Sequence, residues 1–396
     1  MRPLALVCLS LAALGSEPAP RPRVLGLPLV TMGPGVPGGA AVRVGAILAE
    51  QLQGSRALEL LAPPAVDGGA PGAALGAARQ AVQQAQALRE RHDLAGADEA
   101  LGRALAAFEA AAAVLPDPDE LGDALALRAA VRRGLGQDPE AAADLAAAVT
   151  LGPDRELPLA RTSRGLARAA SEAAAAVKAL PGGTLRVESS PPGAAVRLDG
   201  RALGGAPVEV QGVPPGTHLW QARLPQGLAV GGLVAVSPSR PARVRAEAAP
   251  TGPQERLLLA LAGGRLDAAA LADAAALARG AGTPWLLVGA LARAGEGLTL
   301  EALLVAPATG EVRRLPLARF DGELLSAATA LAVVTGELAE RGPGAGVPAT
   351  LPVALAAPHP AALTATRWRA GAPVAEEPPV PEPTTAPRRR VPLSPP

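Results

Sequence analysis

Proline spacing outlines this chain, because a proline inside a helix removes a backbone donor and clashes with the preceding turn. The runs 72–115, 119–138, 159–180, 254–283 and 317–342 hold none, and the spacing predicts helices there. At "LPGG" (180–183) the helix-friendly text stops. "TLRVESS" alternates Leu185 and Val187, "AAVRLDG" alternates Val196 and Leu198, and Asp199–Gly200 is a two-residue hairpin signal. "VEVQGV", "THLWQARL", "GGLVAVS" and "ARVRAE" follow, punctuated by "PPGT", "PQG" and "PSRP". That spacing predicts a small antiparallel β-sandwich over 183–248.

Between 73 and 180 the text reads as successive helices. Asp93 is an N-cap candidate for "LAGADEALGRALAAFEAAAAVL", and Asp138 with Pro139 opens "EAAADLAAAVTL". In "GQDPEAAADLAAAVTLGP" the positions Ala141, Leu145, Ala148 and Pro153 resemble the second half of a tetratricopeptide repeat. "GADEALGRALAAF" repeats that spacing in part, and its distance from the second copy departs from the family's period. A short degenerate repeat and a plain helical bundle both fit.

The β stretch carries a more specific pattern. Ser190, Pro191, Pro192, Gly193 and Ala194 precede a strand ending in Asp199–Gly200; Gly204 or Gly205, Pro207 and Pro215–Gly216 come after it. This resembles the PEGA domain, a family of small β-sandwich modules of envelope and surface proteins. Pro192 stands where the family has its namesake glutamate, so nothing is carried over for that carboxylate. The resemblance implies an exported protein at the periplasm or cell surface.

Residues 24–62 read as strand, loop, helix, strand, and 253–341 as helix, strands, helix. The first piece alone buries too little surface to be a domain. Taken together the two resemble the α/β domain of TolB-like and curli-assembly-type proteins, with "GAGTPWLLVGAL" and "APATGEVRRL" supplying Gly289, Thr309 and Gly310. The expected fold is therefore α+β and multidomain: a split α/β domain interrupted by a tetratricopeptide-like helical region and a β-sandwich. A proline-rich disordered tail closes it, since residues 342–396 hold 14 prolines.

"MRPLALVCLSLAALG" (1–15) fits a secretory signal, with Ala13 and Gly15 small before the cut. Its removal takes Arg2 from the 37 basic residues, leaving 36 against 36 acidic ones, and takes the single cysteine, Cys8. Zero net charge argues against nucleic acid as a partner, and a chain without cysteine has neither disulfides nor thiolate metal sites. No later run is long and apolar enough for a membrane span. Arg388, Arg389 and Arg390 in the tail could make peripheral contact with an anionic membrane surface.

Chemistry-bearing motifs are few. "GPGVPGG" (33–39) matches the glycine-rich dinucleotide fingerprint between a strand and a helix, but Pro34 and Pro37 remove amide donors from the cradle. His92, His218 and His359 have no metal-ligand spacing, and no hydrolase elbow, phosphate loop or zinc-protease motif is present. Asp117, Asp119, Glu120 and Asp123 read as helix N-terminal acids, and Asp199 as a turn residue. The sequence supports a non-enzymatic, cofactor-free envelope scaffold or binding protein with an envelope protein or cell-wall glycan as partner. Two alternatives stand beside it: a nucleotide-binding enzyme using residues 33–38, and a glycan-binding module with Trp220 as a stacking platform.

Overall fold

Segments from early and late in the sequence enter one sheet. The computed structural model describes residues 21–63 apart from Pro34 and Gly38, residues 69–355, and residues 363–368. The expected signal segment 1–15, His359 and the arginine run 388–390 lie outside the described residues. The first elements are β1 (Arg23–Gly26), β2 (Val30–Met32), α1 (Ala40–Leu52) and β3 (Glu59–Leu61). A helical layer follows: α2 (Gly69–Glu90), α3 (Leu94–Ala110), α4 (Asp119–Gly134), α5 (Asp138–Leu151), α6 (Pro158–Thr162) and α7 (Arg164–Ala179). Then come β4 (Gly183–Ser190), β5 (Ala195–Leu198), β6 (Arg201–Gly205), β7 (Val208–Val213), β8 (Gly216–Arg223), β9 (Ala229–Val236) and β10 (Ala242–Glu247). The remainder comprises α8 (Pro253–Ala262), β11 (Arg265–Leu266), α9 (Ala268–Ala281), β12 (Trp285–Ala294), β13 (Gly297–Ala306), β14 (Glu311–Arg314) and β15 (Ala318–Phe320). It ends with α10 (Ala327–Arg341), β16 (Val347–Ala349), β17 (Val353–Ala354) and β18 (Thr364–Arg367).

The largest sheet runs β16-β14-β13-β12-β1-β3, with β2 against β12 and β15 against β13. β1 lies parallel to both neighbours, placing Val24 opposite Trp285 on one side and Leu60 on the other. Thr283 ties the join by donating its hydroxyl to the Arg23 carbonyl. β12 is buried on both faces: Leu287 and Leu291 meet α1 and α10 through Val44, Leu48, Leu331 and Val334. Leu286, Val288 and Ala290 meet α8 and α9 through Leu257, Leu261 and Ala274. Helix α1 presents Ala40, Val44, Leu48 and Leu52, a four-residue repeat that lays one apolar stripe on the sheet.

Alanine gives the helical layer its close spacing. Ala97, Ala100 and Ala104 of α3 and Ala124 and Ala129 of α4 are buried, and Phe108 fills the space between the helices. Asp93 caps α3 by accepting from the Gly96 amide, as its place in the sequence predicts. A largely buried ion network crosses three helices: Arg128 grips Asp144 of α5 at 2.6 and 2.9 Å, and Arg132 bridges Asp144 and Asp98 of α3.

Four expectations need correction. The strand expected over 24–30 breaks at Pro28, which has no amide for the ladder, so β1 and β2 pair with different parts of β12. The helix expected over 254–283 is interrupted by Gly263–Gly264 and β11, after which Asp267 caps α9 by accepting from Ala270. The sandwich is not purely antiparallel: its chain crosses from β9 in one sheet to β10 in the other, so β10 runs parallel to β4. The described part of the stretch expected as tail includes strands, with β16 on β14, β17 on β11 and β18 on β7. Sheet edges tolerate the missing donor of a proline, which is why Pro348 can sit within β16.

Leu25 and Leu286 occupy paired positions from the two ends of the chain, both buried on the same face. Leu25→Ala and Leu286→Ala are each expected to cost about 2–5 kcal/mol. Far-UV circular dichroism during urea unfolding should show a matched shift in midpoint for both; a shift for Leu286→Ala alone would refute a shared core.

Candidate functional site

The residues singled out in the β stretch assemble into one corner of a two-sheet sandwich. Order β10-β4-β7-β18 forms one layer and β6-β5-β8-β9 the other. Between them lie Leu185, Val187, Val196, Leu198, Val208 and Val210. Asp199 (φ 46°) and Gly200 (φ 76°) take the left-handed backbone that a two-residue β5–β6 hairpin requires. Ser189 accepts from the Ala194 amide and donates to the Pro191 carbonyl, while Gly193 donates to Ala206, closing the bend over 190–194. Pro191 and Pro207 both follow cis bonds. Pro192 is exposed on that bend, and Pro215 and Gly216 open β8.

Asp199 does more than turn the chain. One carboxylate oxygen accepts from the Leu219 amide at 2.9 Å and the other lies 2.6 Å from Nδ1 of His218. Nε2 of His218 faces the Pro214 carbonyl at 2.7 Å, so both ring nitrogens meet oxygen acceptors. Both side chains are almost wholly buried. Burial pushes the Asp199 carboxyl upward against the pull of His218 and Leu219. For His218 burial works downward, but its hydrogen bond to Asp199, the carboxylate charge and the Pro214 carbonyl outweigh it, and the net shift is upward. The pair titrates as one unit and pins β8 to the hairpin.

The opposite face of β8 belongs to the helices. Leu219 sits in the helical core, and Gln221 donates to the carbonyls of Ala112 (2.8 Å) and Leu115 (2.7 Å) at the α3–α4 junction. A Cβ at Gly231 of β9 would meet the Ala112–Ala113 backbone at 3.0 Å, so glycine is what permits this approach. Arg201 reaches Asp154 beyond α5 at 3.2 Å. The loop after β8 touches the largest sheet through the Thr31 amide and the Pro225 carbonyl. Trp220 is half-buried, packing on the sandwich core with its ring across Gly232 of β9.

Residues 182–221 match the PEGA domain family. No curated protein and no solved structure matches the chain. The match ends within β8, so the PEGA signature covers the strands built around Asp199 and leaves out β9, β10 and β18. Gln221, the contact to the helices, is its last residue.

Two clefts lie outside the PEGA domain. One, of about 410 Å³, opens between α2, α4 and α6. Its rim carries Gln83, Gln86 and the Arg79–Glu120 pair (2.7 and 2.8 Å), above apolar Val82 and Leu127. Asp123, beside it, is held by Arg155. The acids expected as helix N-terminal charges thus also serve as ion-pair partners. The other cleft, about 570 Å³ and lined mostly by apolar residues with leucine the commonest, lies between α1 and β3. None of the described residues of the glycine-rich loop lines it, and Gly35 accepts at its carbonyl from Arg293. Among the described residues no group of three His, Cys, Asp or Glu could hold a metal.

Sequence reasoning missed His218, Gln221 and the α2 glutamines as functional groups. The first two carry a signal in hindsight, being polar residues on a strand whose alternation leaves neither face for solvent. The α2 glutamines carry none, because only the packing of α4 and α6 makes a cleft of them.

Asp199→Ala is expected to destabilise the sandwich by about 3–5 kcal/mol, since it strands a buried imidazole. The pH dependence has a definite sign. His218 holds its proton more tightly folded than unfolded, so its contribution is complete below its ordinary value of 6.5 and fades as pH rises through the elevated folded value. Asp199→Asn, which leaves burial unopposed by the carboxylate charge, should flatten or invert that slope in thermal melts run from pH 5 to 9. Gln221→Ala should cost about 1–3 kcal/mol for each carbonyl left unpaired, read as loosening of the sandwich from the helices in limited proteolysis.

Proposed function

We propose that this protein is a non-enzymatic scaffold of the cell envelope that docks a polypeptide in the α2–α4–α6 cleft. The observation that carries the reading is the hydrogen-bonded attachment of a PEGA domain to a helical layer that also carries a cleft rimmed by amide and charged groups over apolar side chains. Gln83 and Gln86 can each donate and accept, which suits the alternating main chain of an extended peptide. Arg79–Glu120 and Asp123–Arg155 offer charges of both signs for side chains at its ends. The PEGA match supports export, as does the leader-like start of the sequence. Among the described residues no helix is long and apolar enough to cross a membrane, consistent with a chain that works beside the membrane or wall.

The sandwich supports this role as a spacer and anchor. One sheet of the PEGA domain packs on the helices through β8 and β9, and the interior is closed by Asp199–His218, so neither that sheet face nor the core is open to a partner. Trp220, packed on the core, is a weaker candidate for stacking a sugar than an aromatic standing clear of its strand.

A photo-crosslinking residue at Gln86 should give polypeptide adducts in the native envelope, whereas one at Glu109, outside the cleft, should give none. Gln83→Arg with Gln86→Arg should weaken capture of that polypeptide about tenfold, a loss of about 1.4 kcal/mol. Equal adducts from both positions, or retention on purified peptidoglycan unaffected by the cleft substitutions, would count against the proposal. Reproducible thermal stabilisation by a dinucleotide would overturn the non-enzymatic reading.

A further inference from the structure

The strand β18 is an unusual member of the sandwich. It comes late in the sequence, after residues 356–362, pairs parallel with β7 and has no strand on its other side among the described residues. Its register sets Thr364 opposite Val208 and Arg367 opposite Gln211. Beyond the register, the Thr364 amide donates to the Pro207 carbonyl and the Trp368 amide to Gln211. Thr364, Ala365 and Arg367 are exposed, so side-chain burial holds little of the strand in place. The main anchor is Trp368, just after the strand. Its indole packs on the sandwich core, meets the edge of the buried His218 ring at 6.3 Å and lies under the Arg201 guanidinium at 4.8 Å. The fit is incomplete, because its buried ring N–H has no hydrogen-bond partner among the described residues.

We propose that the β7 edge is a strand-addition site, specific for an extended segment with an indole at the Trp368 position. It is filled within one chain by β18 and, between chains, by β18 of a second copy. Three features carry this. Main-chain bonds to a sheet edge give affinity with little sequence demand, while a single pocket gives selectivity. The aromatic seat is made by groups that stay fixed without β18, since His218 is held by Asp199 and Pro214 and Arg201 by Asp154. The occupant contributes few side-chain contacts, so it can leave without disturbing the core, and parallel pairing is the weaker kind. A second copy's strand reproduces every contact of the first, which makes reciprocal exchange the fitting intermolecular use of the site.

The probe is a fluorescent peptide, LTATRWR, corresponding to residues 363–369. In the full-length chain, Trp368→Ala weakens the resident strand, and Thr366→Pro removes a central amide without touching the core. The peptide is expected to bind either variant at least tenfold more tightly than the native chain, and to lose that binding when its tryptophan is replaced by alanine. Sedimentation of the native chain should show a dimer that grows with concentration and is lost in both variants. Equal affinity for native and variant chains, no binding to a variant that melts like the native protein, or dimerisation unaffected by either substitution would overturn the proposal. If Trp368→Ala fails to fold, Thr366→Pro and hydrogen exchange in the native chain decide it. The 364–368 amides should exchange long before those of β4, and equal protection would refute a detachable strand.

Discussion

Strand β8 is buried on both faces, and the arrangement of the molecule follows from that. Its inward residues His218 and Ala222 close the sandwich, while Leu219 and Gln221 enter the helical layer. A strand with no solvent face must satisfy every polar group it carries within the protein. His218 does so with Asp199 and Pro214; the Gln221 amide nitrogen donates to both carbonyls at the α3–α4 junction, while its own side-chain oxygen is buried without a partner among the described residues. Polar groups fixed in this way specify orientation in a manner that leucine packing alone does not, because they lose their partners if the sandwich slides or turns on the helices. The β stretch is thus a fixed part of the architecture, and the PEGA signature ends at the side chain that fixes it.

A second constraint is the sheet completed from both ends of the chain. β1 cannot hold its place until β12 exists, and the helical layer and sandwich lie between them in sequence. Closing so long a loop is slow, since entropy is lost before the pairing rewards it. The intervening elements shorten the search by folding into a compact body whose own ends, near β3 and α8, return to the same sheet. The Thr31–Pro225 bond adds a direct link between that body and the sheet.

Local chemistry was legible wherever it decides structure within a few residues. The Asp199–Gly200 turn, the Asp93 cap, the alternation of Leu185 with Val187 and the PEGA pattern each depend on near neighbours. Legibility failed where a distant partner decides. "VPAT" and "TATR" lie in a proline-rich stretch that composition assigns to disorder, yet the edges of β14 and β7 recruit both as strands. Gly263–Gly264 reads as a tolerable flaw in a helix, and becomes a break because β17 pairs with β11 there. The cleft glutamines are invisible for the same reason: Gln83 and Gln86 are ordinary surface residues of α2 until α4 and α6 face them.

That division bears on where recognition can reside. An alanine-rich chain with few aromatics builds its core from small contacts, and its two described sandwich tryptophans lie at the PEGA domain. Trp220 is committed to the core and Trp368 to the join of tail, sandwich and helices, with Arg201 spanning from that indole to Asp154. Both tryptophans are therefore committed to holding layers together, and apart from the leucine-rich cleft between α1 and β3 the surfaces open to a proposed partner present main chain, amide and charge. Such groups bind extended polypeptide better than they bind a compact ligand, which needs an enclosed and mostly apolar pocket. Both the glutamine-rimmed cleft and the β7 edge have this character, and they lie on the two bodies that Gln221 locks together. On the proposed function, a partner held at one would be held in a set direction relative to the other, which is what a scaffold requires.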